Sequence, residues 1–258
     1  MSSYAGGGTR GGFRQWPVPA KPWAMLQRWD YLLFAHWRVD PAMLTGRIPP
    51  GLGLETRDGG AWIAVTPFLL SRLRLRGFPA IPGASRFPEL NVRTYVTRDG
   101  KPGVWFFSLD AGNPLAAYLA RQLYHLPYHA ARMACVPGGR TISYRCERGA
   151  EGASPRAEFL ADYGPNGDAF QTPAGSLEEW LTARYCLYAE RAGTLYRAEI
   201  DHVPWTLHRG TAEIRRNTMA DASGITLPPD RPLLHYAAPL EVRIWWPERI
   251  DGAVHQAG

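Results

Sequence analysis

A chain of 258 residues with 45% hydrophobic content can bury a sizeable core as one large domain, and no interior linker divides it. Its net charge of +6 comes from arginine, since Lys21 and Lys101 are the only lysines, and no recognition helix or aromatic-basic motif accompanies it; a nucleic-acid partner is therefore excluded. The cysteines Cys135, Cys146 and Cys186 lack metal-ligand spacing and no run approaches the ~18 apolar residues of a membrane span, which predicts a soluble, cytoplasmic protein with free thiols, no metal and no membrane partner.

In chain order, residues 1–24 begin glycine-rich without an apolar leader core and are predicted to form a flexible segment, followed by a single domain over 25–250 and a tail over 251–258. Trp29 to Val39 reads as a strand. Asp40-Pro41 supplies an N-cap and first-turn proline for a short helix that stops at Pro49-Pro50. Ala61 to Leu70 is a second strand, followed by a Gly/Pro-containing loop long enough to form a rim or lid. Within it, Arg72, Arg74 and Arg76 alternate with apolar residues, as a solvated strand or loop would, or a contact for an acidic partner.

The stretch from Phe87 to Met133 holds most of the oddly placed polar residues. Glu89, Asn91, Arg93 and Tyr95 share one side of a period-2 pattern, and Leu90, Val92, Thr94 and Val96 the other. On pattern alone this is an antiparallel strand with its polar face in water; the competing reading is a closed barrel whose interior is polar because it holds a ligand. Asp99-Gly100 signals a tight hairpin turn into a second, aromatic-rich strand from Gly103 to Asp110. Asn113-Pro114 then caps a helix that ends at Pro127, leaving Tyr128 and His129 at the start of the next segment.

Beyond it, Tyr128 to Val136 and Thr141 to Glu147 suggest a hairpin. Residues 149–175 read as loop with one strand near Arg156 to Tyr163. Ser176 and Glu179 fit a capping box. Tyr185 to Glu190 and Thr194 to His202 suggest a hairpin turning at Ala192-Gly193, and Leu240 to Trp246 a final strand. The total is nine or ten strands with three short helices. Connections are short and antiparallel, without the βαβ units of a parallel sheet.

At FAHWRVDPAMLTGRIPPGL, FPELNVRTYV, GKPGVWFFSLDA and GSLEEWLTARY the sequence resembles the YqjF-like family of uncharacterised bacterial proteins over most of residues 25–247. That family is placed in the acetoacetate decarboxylase-like superfamily. The resemblance implies a mainly β (α+β) fold, a closed antiparallel acetoacetate decarboxylase-like β-barrel with a few short helices around an internal cavity, and a possible homo-oligomer. Acetoacetate decarboxylase itself uses a Schiff-base lysine in a Pro-Lys-Lys sequence. Here Arg121 to Pro127 has the matching spacing, but Tyr128-His129 stands where the lysine pair would be, and neither residue can form an imine.

By the same resemblance Glu89 matches the decarboxylase glutamate, and Arg38, in Arg38-Val39-Asp40, matches its arginine. Glu89 and Tyr128 are the candidates for proton transfer, and Arg93, Arg38, His36, Asn91 and His129 for binding substrate. Tyr128 and His129 should point to opposite faces, so only one can enter a pocket. Glu89 and Arg93 could instead satisfy each other as a buried ion pair. His36, on an apolar strand, fits a histidine of the core or rim held by a hydrogen bond. His202, His208 and His235 lack metal spacing, and Asp110 reads as support for the helix cap.

The expected function is binding of a small organic acid or ketone without a cofactor. As an enzyme it would be a lyase, hydratase or isomerase acting through an enol. The alternatives are a non-catalytic binding protein on the same fold, and a structural protein whose lumen is filled by its Trp and Tyr side chains.

Overall fold

The Asp99-Gly100 turn has both residues at positive φ, 52° and 70°, as a two-residue hairpin requires, and the hairpin it closes is the hub of the molecule. The computed structural model of the chain describes residues 14–150 and 155–250. Its first strands are β1 (Met25–Asp30), β2 (Leu32–Val39), β3 (Gly53–Leu54), β4 (Ala61–Leu75), β5 (Phe87–Arg98) and β6 (Lys101–Ala111). Helix α1 (Pro114–Tyr124) is followed by β7 (Tyr128–Ala130), β8 (Arg132–Gly138), β9 (Thr141–Arg148) and β10 (Ala157–Gln171). After helix α2 (Leu177–Thr182) come β11 (Cys186–Arg191), β12 (Thr194–Asp201), β13 (Thr206–Asn217), β14 (Leu233–Ala237), β15 (Leu240–Ile244) and β16 (Glu248–Arg249).

The pairing β4-β5-β6-β11-β12-β15-β1 returns to β4 and closes a ring of seven strands. A second run, β2-β14-β13-β10-β9-β8, leaves the ring where the N-terminal half of β4 pairs with β2. It packs over the outer face of β4 and β5. Leu33 and Ala35 of β2, Ile63 and Val65 of β4, and Leu90 and Val92 of β5 are buried there with Tyr144 of β9 and Phe159 of β10. The other faces of the same strands line the ring, with Leu32, Phe34, Phe68, Leu70 and Phe87 in its apolar wall. β4 and β5 are therefore buried on both sides.

Several expectations hold residue by residue. Asn113 Oδ1 accepts from Ala116 N–H at 3.1 Å, and Ser176 Oγ from Glu179 N–H at 3.1 Å, so both helix caps form. His125, in the left-handed conformation at φ 56°, stops α1 before Pro127 can. The predicted Trp29–Val39 strand is split at Tyr31, whose φ of 54° breaks the ladder. The predicted helix after Asp40 is a 3-10 turn, Pro41–Met43, although the Asp40 cap is in place.

Residues 157–171 form one long strand where loop was expected beyond Tyr163. Gly164 is required there, because a Cβ would lie 2.0 Å from Arg140 O. Strands β13 and β14 were not predicted. The connections are not all antiparallel either: β6 pairs in parallel with β7 and with β11 over two or three residues.

Residues 14–24, expected within the flexible segment, are held down: Arg14 and Trp16 bond Glu199 at 2.6 and 2.7 Å. Residues 1–13 and the predicted tail 251–258 lie outside the described residues. No helix among the described residues is long and apolar enough to cross a membrane.

Asp110 does not support the helix cap. It points outward from the ring and pairs with Arg148 of β9 at 3.4 Å, both side chains being buried. Burial raises its carboxyl to about 6, against the pull of Arg148. This pair joins the ring to the second sheet. Removing one partner leaves a buried charge uncompensated, so Asp110→Ala should cost about 3–5 kcal/mol in denaturant unfolding. The double variant Asp110→Leu with Arg148→Met should recover most of that loss, whereas additive losses would show that the two residues do not act as a pair.

Candidate functional site

The alternation of β5 decides the site. Leu90 and Val92 are taken by the second sheet, so Glu89, Asn91, Arg93 and Tyr95 turn into the ring. The reading of this face as solvated is thereby overturned. The ring is not filled by its aromatic side chains: a cavity of about 550 Å³ remains, lined by Glu89, Asn91, Arg93, Tyr128, Thr66 and Arg184 among many apolar residues. Across β4, Phe68 faces Glu89, Thr66 faces Asn91 and the small Ala64 faces Arg93.

Glu89 is 4% exposed and accepts a hydrogen bond from Tyr128 Oη at 3.2 Å. Burial pushes its carboxyl up to about 8, with the Tyr128 hydrogen bond opposing and Asp110 adding to the rise. Tyr144 of β9 places its hydroxyl 2.7 Å from Glu89 O and 3.1 Å from Phe68 O, holding the backbone at this position from outside the ring. Tyr128 comes from β7, which pairs in parallel with β6 at Leu109. Burial and Glu89 push the phenol well above its ordinary range.

Arg93 does not pair with Glu89. It is 9% exposed, its guanidinium lies 5.2 Å over Phe34 and 5.9 Å over Tyr95, and no carboxylate pairs with it among the described ion pairs. Its Nε has no hydrogen-bond partner. Arg184, immediately beyond α2, was not anticipated. Its side chain is ion-paired with Glu55, donates to Trp180 O at 2.8 Å, and stacks 4.8 Å over Tyr95 and 4.7 Å over Trp180. The inner end thus brings together two guanidiniums and one carboxylate. Asn91 Oδ1 and Thr66 Oγ1 also lack partners.

The remaining predicted residues are scattered. His36 is buried and does not line the cavity; its Nε2 lies 2.7 Å from Tyr95 Oη. Burial, then Arg93, His235 and Arg184, keep its imidazole well below the usual range and so neutral at pH 7. Arg38 is exposed near the end of β2 and donates to Asp58 O at 2.6 Å, outside the cavity. His129 points away from Tyr128, as strand alternation requires; burial, with Arg148 and Arg121, lowers it to about 4. His202 does line the cavity, but its Nδ1 is engaged with Val203 O at 2.7 Å and burial lowers it to about 4.

Neither lysine reaches the cavity: Lys101 Nζ lies 3.2 Å from Glu199 Oε1, and Lys21 pairs with Glu248. Among the described residues no group of three or more His, Cys, Asp or Glu is placed to hold a metal ion.

Comparison with known proteins places this geometry. Residues 26–241 match DUF2071, an uncharacterized conserved protein family. The chain is 48% identical over 232 residues to the uncharacterized protein YqjF of Bacillus subtilis (strain 168), spanning 90% of this chain and 94% of that one. Acetoacetate decarboxylase from Legionella pneumophila superposes with a TM-score of 0.61 at 12% identity, covering 97% of this chain and 98% of its own.

The enduracididine biosynthesis enzyme MppR, solved in complex with pyruvate, gives 0.61 at 14% identity, over 91% and 92% of the two chains. An acetoacetate decarboxylase-like enzyme from Sphingomonas wittichii RW1 gives 0.60 at 15%, over 94% and 100%. At such identities the likeness is one of fold. A mainly β chain with this ring and these relatives belongs to the DUF2071 family and carries the acetoacetate decarboxylase-like fold.

Proposed function

We propose that the cavity binds an organic carboxylate bearing an enolisable carbonyl, and that Glu89 and Tyr128 move its proton without a Schiff base. The observation that carries the reading is Arg93, a cation nine-tenths buried, facing the cavity with no carboxylate partner. An unpaired buried charge is costly, and a bound anion would offset that cost with charge-assisted hydrogen bonds. A structural neighbour was solved with pyruvate, a keto acid. The open cavity also speaks against a purely structural role.

The chemistry follows from the pair. In its ionised form Glu89 takes a proton from the carbon beside the carbonyl. The C–H electrons form the enol double bond and the carbonyl oxygen gains charge; Glu89, once protonated, no longer needs the Tyr128 hydrogen bond, and the freed hydroxyl turns to donate to that oxygen. With its carboxyl raised to about 8, Glu89 is mostly protonated at pH 7 and basic enough to abstract a proton when ionised. Return of the proton to another atom, or loss of a leaving group from the enol, gives an isomerase, hydratase or lyase. An imine is not part of this scheme, since neither lysine lines the cavity.

Three outcomes test the reading. Solvent-deuterium exchange into keto acids, followed by NMR, should rise about tenfold per pH unit below about 8 and level above it. Glu89→Gln should slow that exchange by roughly 10²–10⁴-fold, and a pH-independent rate would refute Glu89 as the base. Borohydride with a keto acid should leave no covalent adduct on the protein.

Stability should move in the opposite sense. Glu89 has a folded value raised from 4.5 to about 8, so its contribution is complete below about 4.5 and is lost as pH rises through about 8. By linkage, wild-type stability should fall by on the order of a few kcal/mol across that window, whereas Glu89→Gln should show a flatter profile and be the more stable protein above about pH 8. A parallel decline in both proteins would assign it to other groups.

A further inference from the structure

The unpaired arginine and the proton pair do not lie side by side. Glu89 and Arg93 are four residues apart on one strand, which separates their Cα atoms by roughly 13 Å. The Arg93 guanidinium lies over Phe34 and over Tyr95, the next inward residue beyond it. Between Glu89 and Arg93 sit Asn91 and, across the sheet, Thr66, each with an unpartnered side-chain oxygen.

In the other direction the cavity changes character. Past Glu89 comes Phe87, then a mouth formed by Leu119 and Leu123 of α1 with Phe78 and Ile81 of the β4–β5 connection, all of which line the same cavity. Phe78 is 66% exposed and Leu119 45%, so apolar surface continues to the solvent. About 550 Å³ is room for on the order of 18 groups the size of a water molecule at ~30 Å³ each. A three-carbon keto acid would fill a small part of this and could reach either the arginine or the glutamate.

We infer that the ligand is an elongated amphipathic carboxylate: its head lies at Arg93, an oxygen-bearing carbon several bonds along lies against Glu89 and Tyr128, and an apolar tail runs between Phe87 and α1 toward the mouth. This rests on the proposed carboxylate-binding role and names the substrate class for the same site. Asn91 and Thr66 supply polar contacts midway. The tail covers apolar side chains that otherwise face water.

Titration of the full chain with straight-chain carboxylates from butyrate to hexadecanoate, below their micelle-forming concentrations, tests it, with pyruvate and the matching 1-alkanols alongside. Once the chain is long enough to pass Glu89, affinity should rise about fourfold per added methylene; it should be weaker for the alcohols and fall sharply for every acid with Arg93→Gln. Leu119→Gln, at the mouth, should weaken hexadecanoate and leave butyrate, which does not reach it, unchanged. If pyruvate and butyrate bind as tightly as hexadecanoate and need Arg93, the elongated ligand is overturned while the carboxylate site stands. Equal binding of acids and alcohols, indifferent to Arg93→Gln, overturns both, as does no binding by any of these compounds.

Discussion

Because Leu90 and Val92 are covered by β9 and β10, the opposite face of β5 has only the inside of the ring to occupy, and every polar residue of the site follows from that. A register slip of one residue would send Glu89, Asn91 and Arg93 into an apolar core and expose the residues that belong there. Burial on both sides sets the price of that arrangement in electrostatics. Glu89 answers it by holding its proton up to about 8, and Arg93 by lying against two aromatic rings. Tyr144, reaching from the second sheet to the Glu89 carbonyl at 2.7 Å, shows that the outer sheet also fixes where the glutamate stands.

The inner end of the cavity holds two arginines but one carboxylate. Glu55 serves Arg184, while Arg93 lacks a carboxylate partner. Structural ion pairs in this molecule look different: Asp110 and Arg148 face each other across the interface between ring and outer sheet, and Arg14 and Lys101 converge on Glu199. A site that keeps an uncompensated buried charge sacrifices stability for binding, the pattern expected where function opposes folding.

Much of this was legible locally. The Asp99-Gly100 turn, the Asn113 and Ser176 caps and the two-faced pattern of β5 are written in short stretches whose chemistry does not depend on distant residues. The pattern is blind to which face meets water, because alternation fixes that faces differ and tertiary packing fixes which is enclosed. Arg38 was assigned on a three-residue match and proves to be exposed. Arg184 was missed because its direction depends on how the chain leaves α2 at Ala183, which has departed from helical geometry at φ -80° and ψ 73°, and no periodicity reports that. A better signal was at hand in Thr66, a polar residue within the otherwise apolar AWIAVTPFLL run, which faces the cavity opposite Asn91. The far half of β10 was hidden by Gly164, Pro165 and Gly167, read as loop, although the close approach of Arg140 O requires the first of them.

The central claim is that Arg93 is held against stability for an anion. Its most direct test is the thermal midpoint of ligand-free Arg93→Met. Replacing an uncompensated buried cation by an apolar chain of similar length should stabilise the protein by roughly 1–4 kcal/mol. In a domain of this size each ~1 kcal/mol raises the midpoint by about 2–4 °C. A midpoint several degrees above wild type would agree with the account. A fall of similar size would mean that Arg93 is a structural strut of the ring, and would contradict it.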